Sequence, residues 1–369
     1  LNLHIVVSGA LYKHGGGVDT WAGYFIPNIR KHFDKVYIYC TKPFPDRQGE
    51  LQEFYDNNVE VLRVSDPKAY LFIKNAPSFL EERYRKGDIV LAIGTLVSGW
   101  VAYKIKNRMK DANIVGWARG IPHREKLETK GILKSFIYKK LERKFIKKMD
   151  VLIANGADTA EYYNRFSPRS RIFVVPNAVD INKFKCAEIS EFSNPIKVGF
   201  YGRFVKAKGF NYFLELVDDK SLNGDFLIRA WGWSESQDFD DKEWYMGFYN
   251  SDEVHKVLLE SDIVLLLNSS KGAFGGGVSH LLLESMAAAR LIIAWDNKIH
   301  CQVLNEANAI LVREGDLEAL KNVLLEIHSS VNKDAYKILC LNAKRDAGRY
   351  SIDEHIKKFL NVLREMNWI

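Results

Sequence analysis

The residues DIVLLLN (262–268), GAFGGGVSHLLLESMAAAR (272–290) and LIIAW (291–295) decide how this chain is read. Two apolar runs with strand character enclose a glycine-rich loop and a segment of helical pattern, so the order is strand, loop, helix, strand. Three consecutive glycines at 275–277 let the backbone approach a ligand, and Ser279 is placed to cap the helix that follows. A helix start with unpaired amides and the positive end of the macrodipole suits an anion. Within the helix His280 and Glu284 lie one turn apart, continued by Ala287 and Ala288, while Leu282, Leu283 and Met286 point to a core. Glu284 is thereby placed to accept hydrogen bonds from ribose hydroxyls. An ordinary crossover with a solvated Glu284 fits the same pattern.

The same alternation runs through the chain. Strands are expected at 3–8, 36–40, 59–64, 88–93, 113–118, 150–154 and 171–175, with helices between, including one over 70–85. Val18, Trp21, Phe25, Ile29 and Phe33 form one buried stripe after the triple glycine at 15–17. A second series follows at 196–201, 226–230, 262–267, 291–295 and 309–312. Strands alternating with helices imply parallel, doubly wound sheets, whose ligands lie at the carboxyl ends of the strands. The fold class is therefore α/β, with two Rossmann-like doubly wound domains. Residues 180–195 lack periodicity and read as the linker. Ile356, Phe359, Leu360 and Leu363 share one face of a terminal helix.

Composition narrows the classes. At 369 residues, 47% hydrophobic and 27% charged, the chain is globular and long enough for two domains. No apolar run approaches the roughly 20 residues that span a bilayer. No signal peptide is evident, although a chain starting at Leu1 leaves a trimmed start open. The four scattered cysteines form no CxxC and read as reduced thiols, not a structural zinc site. The net charge of +7 is concentrated between Arg124 and Lys148, where ten Lys or Arg face three Glu. No nucleic-acid-binding signature accompanies it, so no nucleic-acid partner is expected. Leu133, Ile137, Leu141 and Phe145, with Ile132 and Phe136 beside them, make an apolar stripe within this basic segment. The stripe either packs on the first domain or docks on anionic phospholipid.

VGFYGRFVKAKG (198–209) resembles the "GR...KG" element that opens the second domain of retaining GT-B glycosyltransferases of the family-4 type. DVLIAN (150–155), VPNAVD (175–180), residues 253–267 and ESMAAA (284–289) continue the likeness in the family's order. The resemblance implies two Rossmann-like domains facing across a cleft: an acceptor-side domain over 1–180, a nucleotide-sugar domain over 181–350, and a helix over 351–369 crossing back to the first. It implies that Arg203 and Lys208 hold the departing diphosphate and that Glu284 holds the donor ribose. His123, in GIPHR (120–124), takes the place of a histidine near the reacting sugar carbon; a loop histidine without a catalytic task fits equally. Gly16 and Gly17 cradle the diphosphate or acceptor, or form a plain tight turn. Gly247, in GFYN (247–250), matches the turn that reads the nucleobase.

The family's first motif glutamate is absent: Gly276 or Gly272 stands in its place, depending on the alignment. Backbone amides of the loop, from Gly276, Gly277, Val278 and Ser279, or the His280 ring, are expected to take over its contact with the donor sugar. No pair of carboxylates presents itself as nucleophile and acid. The resemblance instead implies retention by front-face attack, without metal or cofactor. Asp238 and Asp240 spell a DxD within a polar loop that reads as solvated. The expectation is a glycosyltransferase moving a sugar from a nucleotide diphosphate to a glycan or lipid-linked acceptor in surface polysaccharide assembly. It is expected in the cytoplasm or peripheral on the inner face of the plasma membrane. The rivals are a sugar-nucleotide epimerase or hydrolase on the same fold, and a catalytically silent nucleotide-sugar-binding subunit.

Overall fold

The computed structural model describes the chain except residues 55, 124–130, 166–170, 190, 235–237, 271–275 and 331–332. It divides into two compact units, residues 1–177 with 352–369, and residues 178–351.

The first unit is built on seven parallel strands: β1 (Asn2–Val7), β2 (Lys35–Thr41), β3 (Val59–Ser65), β4 (Ile89–Ile93), β5 (Asn113–Ala118), β6 (Val151–Ala154) and β7 (Arg171–Val174). Their order is β3-β2-β1-β4-β5-β6-β7, so the direction of winding reverses between β1 and β4. Strands covered on both faces must be apolar throughout, and all five residues of β4 are buried. Leu3, Ile5, Leu91, Val115 and Trp117 pack to one side, with Trp21 and Phe25 of α1 (Gly17–Ile29). Val6, Val90, Ala92 and Ile114 pack to the other, with α2 (Ala69–Glu81) and α3 (Val97–Arg108). α2 ends before the expected Arg85 because the Asp88 carboxylate takes the Arg85 amide at 2.9 Å. The terminal helix (Ile352–Glu365) returns to this unit: Phe359 packs parallel to the Trp117 ring at 5.6 Å. His355 donates from Nδ1 to the Pro176 carbonyl and accepts from the Trp21 indole.

The basic segment contributes α4 (Ile132–Ile146), and its orientation is not the one its apolar stripe suggests. Ser135, Glu142, Phe145 and Ile146 are the buried residues. Ile132, Leu133, Phe136 and Ile137 remain 80%, 75%, 56% and 49% exposed. Only the last turn of the stripe packs inward, because polar bonds to the loops beyond β4 and β5 fix how the helix start is turned. α5 (Ala157–Asn164) follows β6.

The second unit has five parallel strands, β8 (Ile196–Arg203), β9 (Phe226–Trp233), β10 (Ile263–Leu266), β11 (Leu291–Asp296) and β12 (Ile310–Arg313), in the order β12-β11-β10-β8-β9. Winding reverses between β8 and β10. Its helices are α6 (Phe210–Val217), α7 (Val254–Val257), α8 (His280–Ala287), α9 (Leu317–Ser329) and α10 (Asp334–Ala347). Residues 180–195 are not a free tether, since Phe184 and Ala187 are buried in this unit's core behind a turn capped by Asp180. All four cysteines are free thiols.

Phe359→Ala removes a fully buried ring that joins the terminal helix to Trp117 and Phe25. Urea unfolding should show a loss of about 3–5 kcal/mol, against less than about 0.5 kcal/mol for Lys357→Ala on the exposed face of the same helix.

Candidate active site

In open parallel sheets ligands bind outside the carboxyl ends of the strands, where the winding reverses. In the second unit that place lies between β8 and β10. β8 ends at Arg203, and the chain turns through Lys206–Lys208 into α6. Gly209 makes this turn possible. Its φ is +81°, and a β-carbon there would lie 2.4 Å from the Leu267 carbonyl oxygen beyond β10. Lys208 is therefore pressed inward beside that loop. Burial, reinforced by the charge of Arg203, pushes its ammonium down to about 8. Among the described residues Lys208 has no carboxylate partner.

The surrounding rim was not apparent in the sequence. The Glu314 carboxylate, just past β12, accepts from the Ser270 amide at 3.0 Å and from the hydroxyls of Ser269 and Ser270 at 2.9 and 2.6 Å. Burial opposes its ionisation, but the bonds from Ser270, Ser269 and Asn297 prevail and hold it below the usual carboxylate range. His300 donates Nδ1–H to the Trp295 carbonyl at 2.9 Å. Burial, helped by the nearby Lys208 charge, pushes this imidazole down to about 4, so it is neutral. Glu314 thus fixes the entry to the glycine-rich loop and leaves the positive charge of Lys208 unneutralised. The only sequence signal for it was an acidic residue following a strand.

Ser279 caps α8, its hydroxyl accepting from the Leu282 amide at 3.2 Å. Leu282, Leu283 and Met286 are buried as their spacing required. Gly276 and Gly277 lead into the cap, Gly277 with φ +71°. Val278 is buried. Gly272 and Gly275 lie outside the described residues. His280 donates Nδ1–H to the Ala178 carbonyl at 3.1 Å, which orients the ring. Glu284 is half-buried rather than solvated. Burial, opposed by the charge of Lys183, raises its carboxyl to about 7, and Tyr249 titrates higher partly because Glu284 is near. Gly247 has φ +94°, and its carbonyl accepts the Gly232 amide. Asp238 accepts the Asp240 amide at 3.1 Å in an exposed turn. Among the described residues no cluster of His, Cys, Asp or Glu is arranged as a metal site.

In the first unit the loop after β1 enters α1 at Gly16, whose amide and that of Tyr12 are both held by Asp19. The glycine that this packing requires is Gly15: a β-carbon there would overlap the Asp19 carboxylate, whereas one on Gly16 would meet nothing. Gly17 is the first residue of the helix. His123 stacks on Tyr162 at 5.1 Å, with Nδ1 2.7 Å from the Tyr162 hydroxyl. Its carbonyl accepts from Ser135 at the start of α4. Beneath it lies Glu142, with Oε2 4.0 Å from His123 Nδ1. Glu142 accepts a hydrogen bond from Thr95, past β4, and lies 2.6 Å from the Tyr163 hydroxyl; burial raises its pKa. In the sequence Glu142 was one charge in a basic run. Arg124 lies outside the described residues.

Two doubly wound parallel units, with a paired-cation loop at one switch point, are the parts expected of a GT-B glycosyltransferase. The Glycosyltransferase Family 4 pattern matches residues 15–183 and the Glycosyl transferases group 1 pattern matches residues 195–330. The chain belongs to the family-4 glycosyltransferases. No curated protein sequence matches it significantly. Among solved structures it is similar to the sucrose-phosphate synthase of Thermosynechococcus elongatus, at 12% identity and a TM-score of 0.78, covering 99% of this chain and 98% of that one. The Anabaena HepE protein in complex with UDP aligns at 14% identity and a TM-score of 0.71, over 99% of both chains. A Burkholderia xenovorans α,α-trehalose-phosphate synthase in complex with glucose-6-phosphate aligns at 10% identity and 0.71, over 98% of this chain and 99% of that one.

A carboxyl raised from its unfolded value near 4.5 to about 7 opposes folding wherever the unfolded chain ionises it first. Glu284→Gln should therefore raise the melting temperature of the ligand-free protein at pH 7–8, with the gain fading as the pH falls toward 4.5. A gain independent of pH would contradict the burial of Glu284.

Proposed function

We propose that the protein is a retaining, metal-independent glycosyltransferase that moves a sugar from a nucleotide diphosphate to a lipid-linked or glycan acceptor in surface polysaccharide assembly. It needs no cofactor beyond the donor. The observation that carries this reading is the unneutralised Lys208 beside Arg203 at the switch point of the second unit. A buried cation without a counter-ion is costly, and a diphosphate supplies that counter-ion. In the reaction, the bond from the anomeric carbon to the diphosphate oxygen breaks and a bond to the acceptor oxygen forms on the same face. The acceptor's proton passes to the departing phosphate. Arg203, Lys208 and the start of α8 stabilise the charge that develops there. Glu284 holds the donor ribose, Gly247 meets the base, and the amides from Gly276 to Ser279 with His280 replace the missing glutamate at the donor sugar. His123 orients the acceptor hydroxyl, and Gly16 and Gly17 line its approach. The UDP complex of the Anabaena protein and the UDP-sugar chemistry of the trehalose-phosphate synthases support a nucleotide donor.

The exposed apolar turn of α4 supports a lipid-linked acceptor. Ile132, Leu133, Phe136 and Ile137 are surrounded by Lys134, Lys139 and Lys140, and Ser135 ties the same turn to the His123 carbonyl. A basic surface with apolar side chains at its centre binds anionic headgroups. The protein would then work on the inner face of the plasma membrane. Among the described residues no helix is long and apolar enough to cross a membrane.

A thermal-shift screen of nucleoside diphosphates tests the donor reading. One diphosphate should stabilise the protein, by about 2.7 kcal/mol at 100 times its dissociation constant. Lys208→Ala should weaken that effect and lower turnover by about two to three orders of magnitude. Because the free ammonium titrates near 8 and the diphosphate favours its charged form, affinity should be level below pH 8 and fall above it. No shift with any diphosphate would favour the silent subunit, and donor breakdown without acceptor would favour an epimerase or hydrolase.

Sedimentation with phosphatidylglycerol vesicles tests the surface. Binding should fall steeply between low and high salt and be lost in Leu133→Ser with Phe136→Ser. Binding that ignores salt, or survives the double change, rejects the membrane reading.

A further inference from the structure

The carboxyl end of β5 carries a cation that the scheme above does not use. Arg119 follows Trp117 by two residues, so the two leave the strand on the same side. Its guanidinium lies 5.6 Å from the Trp21 ring and 6.0 Å from that of Trp117. Its one hydrogen bond, from Nη2 to the Gly17 carbonyl, is long at 3.4 Å. Nη1 is enclosed and has no acceptor. Among the described residues no carboxylate pairs with it. Asp19, on the adjacent helix turn, is spent on the amides of Tyr12 and Gly16.

Arg290 shows what a purely structural arginine looks like in this chain. It is buried, and it donates to the carbonyls of Ala288, Ser261 and Glu188, so its donors are satisfied by backbone. Arg119 is part-exposed, and its enclosed Nη1 lacks the acceptors that Arg290 finds. An enclosed guanidinium nitrogen without an acceptor, on a cation without a counter-ion, is unfavourable, and a ligand oxyanion at the part-exposed Nη2 would supply the counter-ion and an acceptor. The rings of Trp21 and Trp117 lie beside it. Both rings are themselves buried, and Trp21 is held by His355.

We infer that Arg119 is an oxyanion subsite of the first unit and that it holds a phosphate group of the acceptor. This rests on the reading that the second unit takes the donor. A phosphate-class oxyanion has a second possible source, the donor's own diphosphate, and the test separates the two.

Calorimetric titration with inorganic phosphate, at millimolar concentration and low salt, should show binding to the wild type and to Lys208→Ala alike. The affinity should drop at least tenfold in Arg119→Gln and recover in part in Arg119→Lys. The affinity for the nucleoside diphosphate selected by the thermal screen should stay within twofold in Arg119→Gln. The melting temperature of ligand-free Arg119→Gln should equal or exceed that of the wild type, because an uncompensated charge has been removed. Phosphate binding that ignores Arg119 overturns the inference, and so does a melting temperature lowered by several degrees, which would make Arg119 structural. A parallel loss of nucleoside diphosphate affinity in Arg119→Gln also overturns it by assigning the anion to the donor. Failure of the donor reading itself appears elsewhere, as nucleoside diphosphate binding unaffected by Lys208→Ala.

Discussion

Gly209 sits so close to Leu267 that a β-carbon would lie 2.3 Å from that residue's own β-carbon and 2.4 Å from its carbonyl oxygen. With φ at +81°, the position is closed to other residues on two separate grounds. The approach draws the loop after β8 against the loop after β10 and leaves Lys208 half-buried. From that follow the depressed ammonium, the neutral His300 beside it, and the use of Glu314 on two serines rather than on the lysine. The candidate donor site is in this sense a consequence of backbone packing. The charge stays unneutralised because the one carboxylate on that rim is already engaged.

The two units follow the same topological rule and answer it with different chemistry. In the second, Lys208 has no carboxylate partner among the described residues. In the first, a carboxyl is buried among hydroxyls: Glu142 is raised by burial, accepts from Thr95 and underlies His123. Burial lowers the pKa of a cation and raises that of a carboxyl. The first arrangement suits a departing diphosphate. The second suits the orientation of a histidine, since Tyr162 and Glu142 bear on the same ring nitrogen.

How much of this was visible in the sequence depended on the range of the interactions. Strand and helix alternation is a local signal, and it carried the parallel sheets and the core face of α8. The GR...KG loop was legible because its glycines and cations lie within twelve residues. Glu314 and Glu142 were not, because their meaning lies in partners such as Ser270 and Thr95, 44 and 47 positions away. Gly15 could not be singled out for a similar reason: a triple glycine does not say which member needs its missing side chain, and Asp19 decides it. The linker reading of 180–195 failed because aperiodic residues can still be buried, as Phe184 and Ala187 are.

α4 shows most directly how a long-range polar contact overrides a local pattern. Its apolar residues recur at helical spacing, and transfer energetics alone would turn Leu133, Ile137 and Phe136 toward the sheet. Instead Ser135 and Glu142, seven apart and so on one face, turn inward and bond the loops that follow β5 and β4. Buried polar groups need partners, and the Ser135 hydroxyl and Glu142 Oε1 find theirs on the loops carrying His123 and Thr95. Exposing four large apolar side chains carries a hydrophobic cost in water, and a lipid surface removes that cost. The bonds that hold His123 in place and the bonds that force the apolar turn outward are the same ones. A change that turned this helix to bury its stripe would therefore release the His123 loop as well.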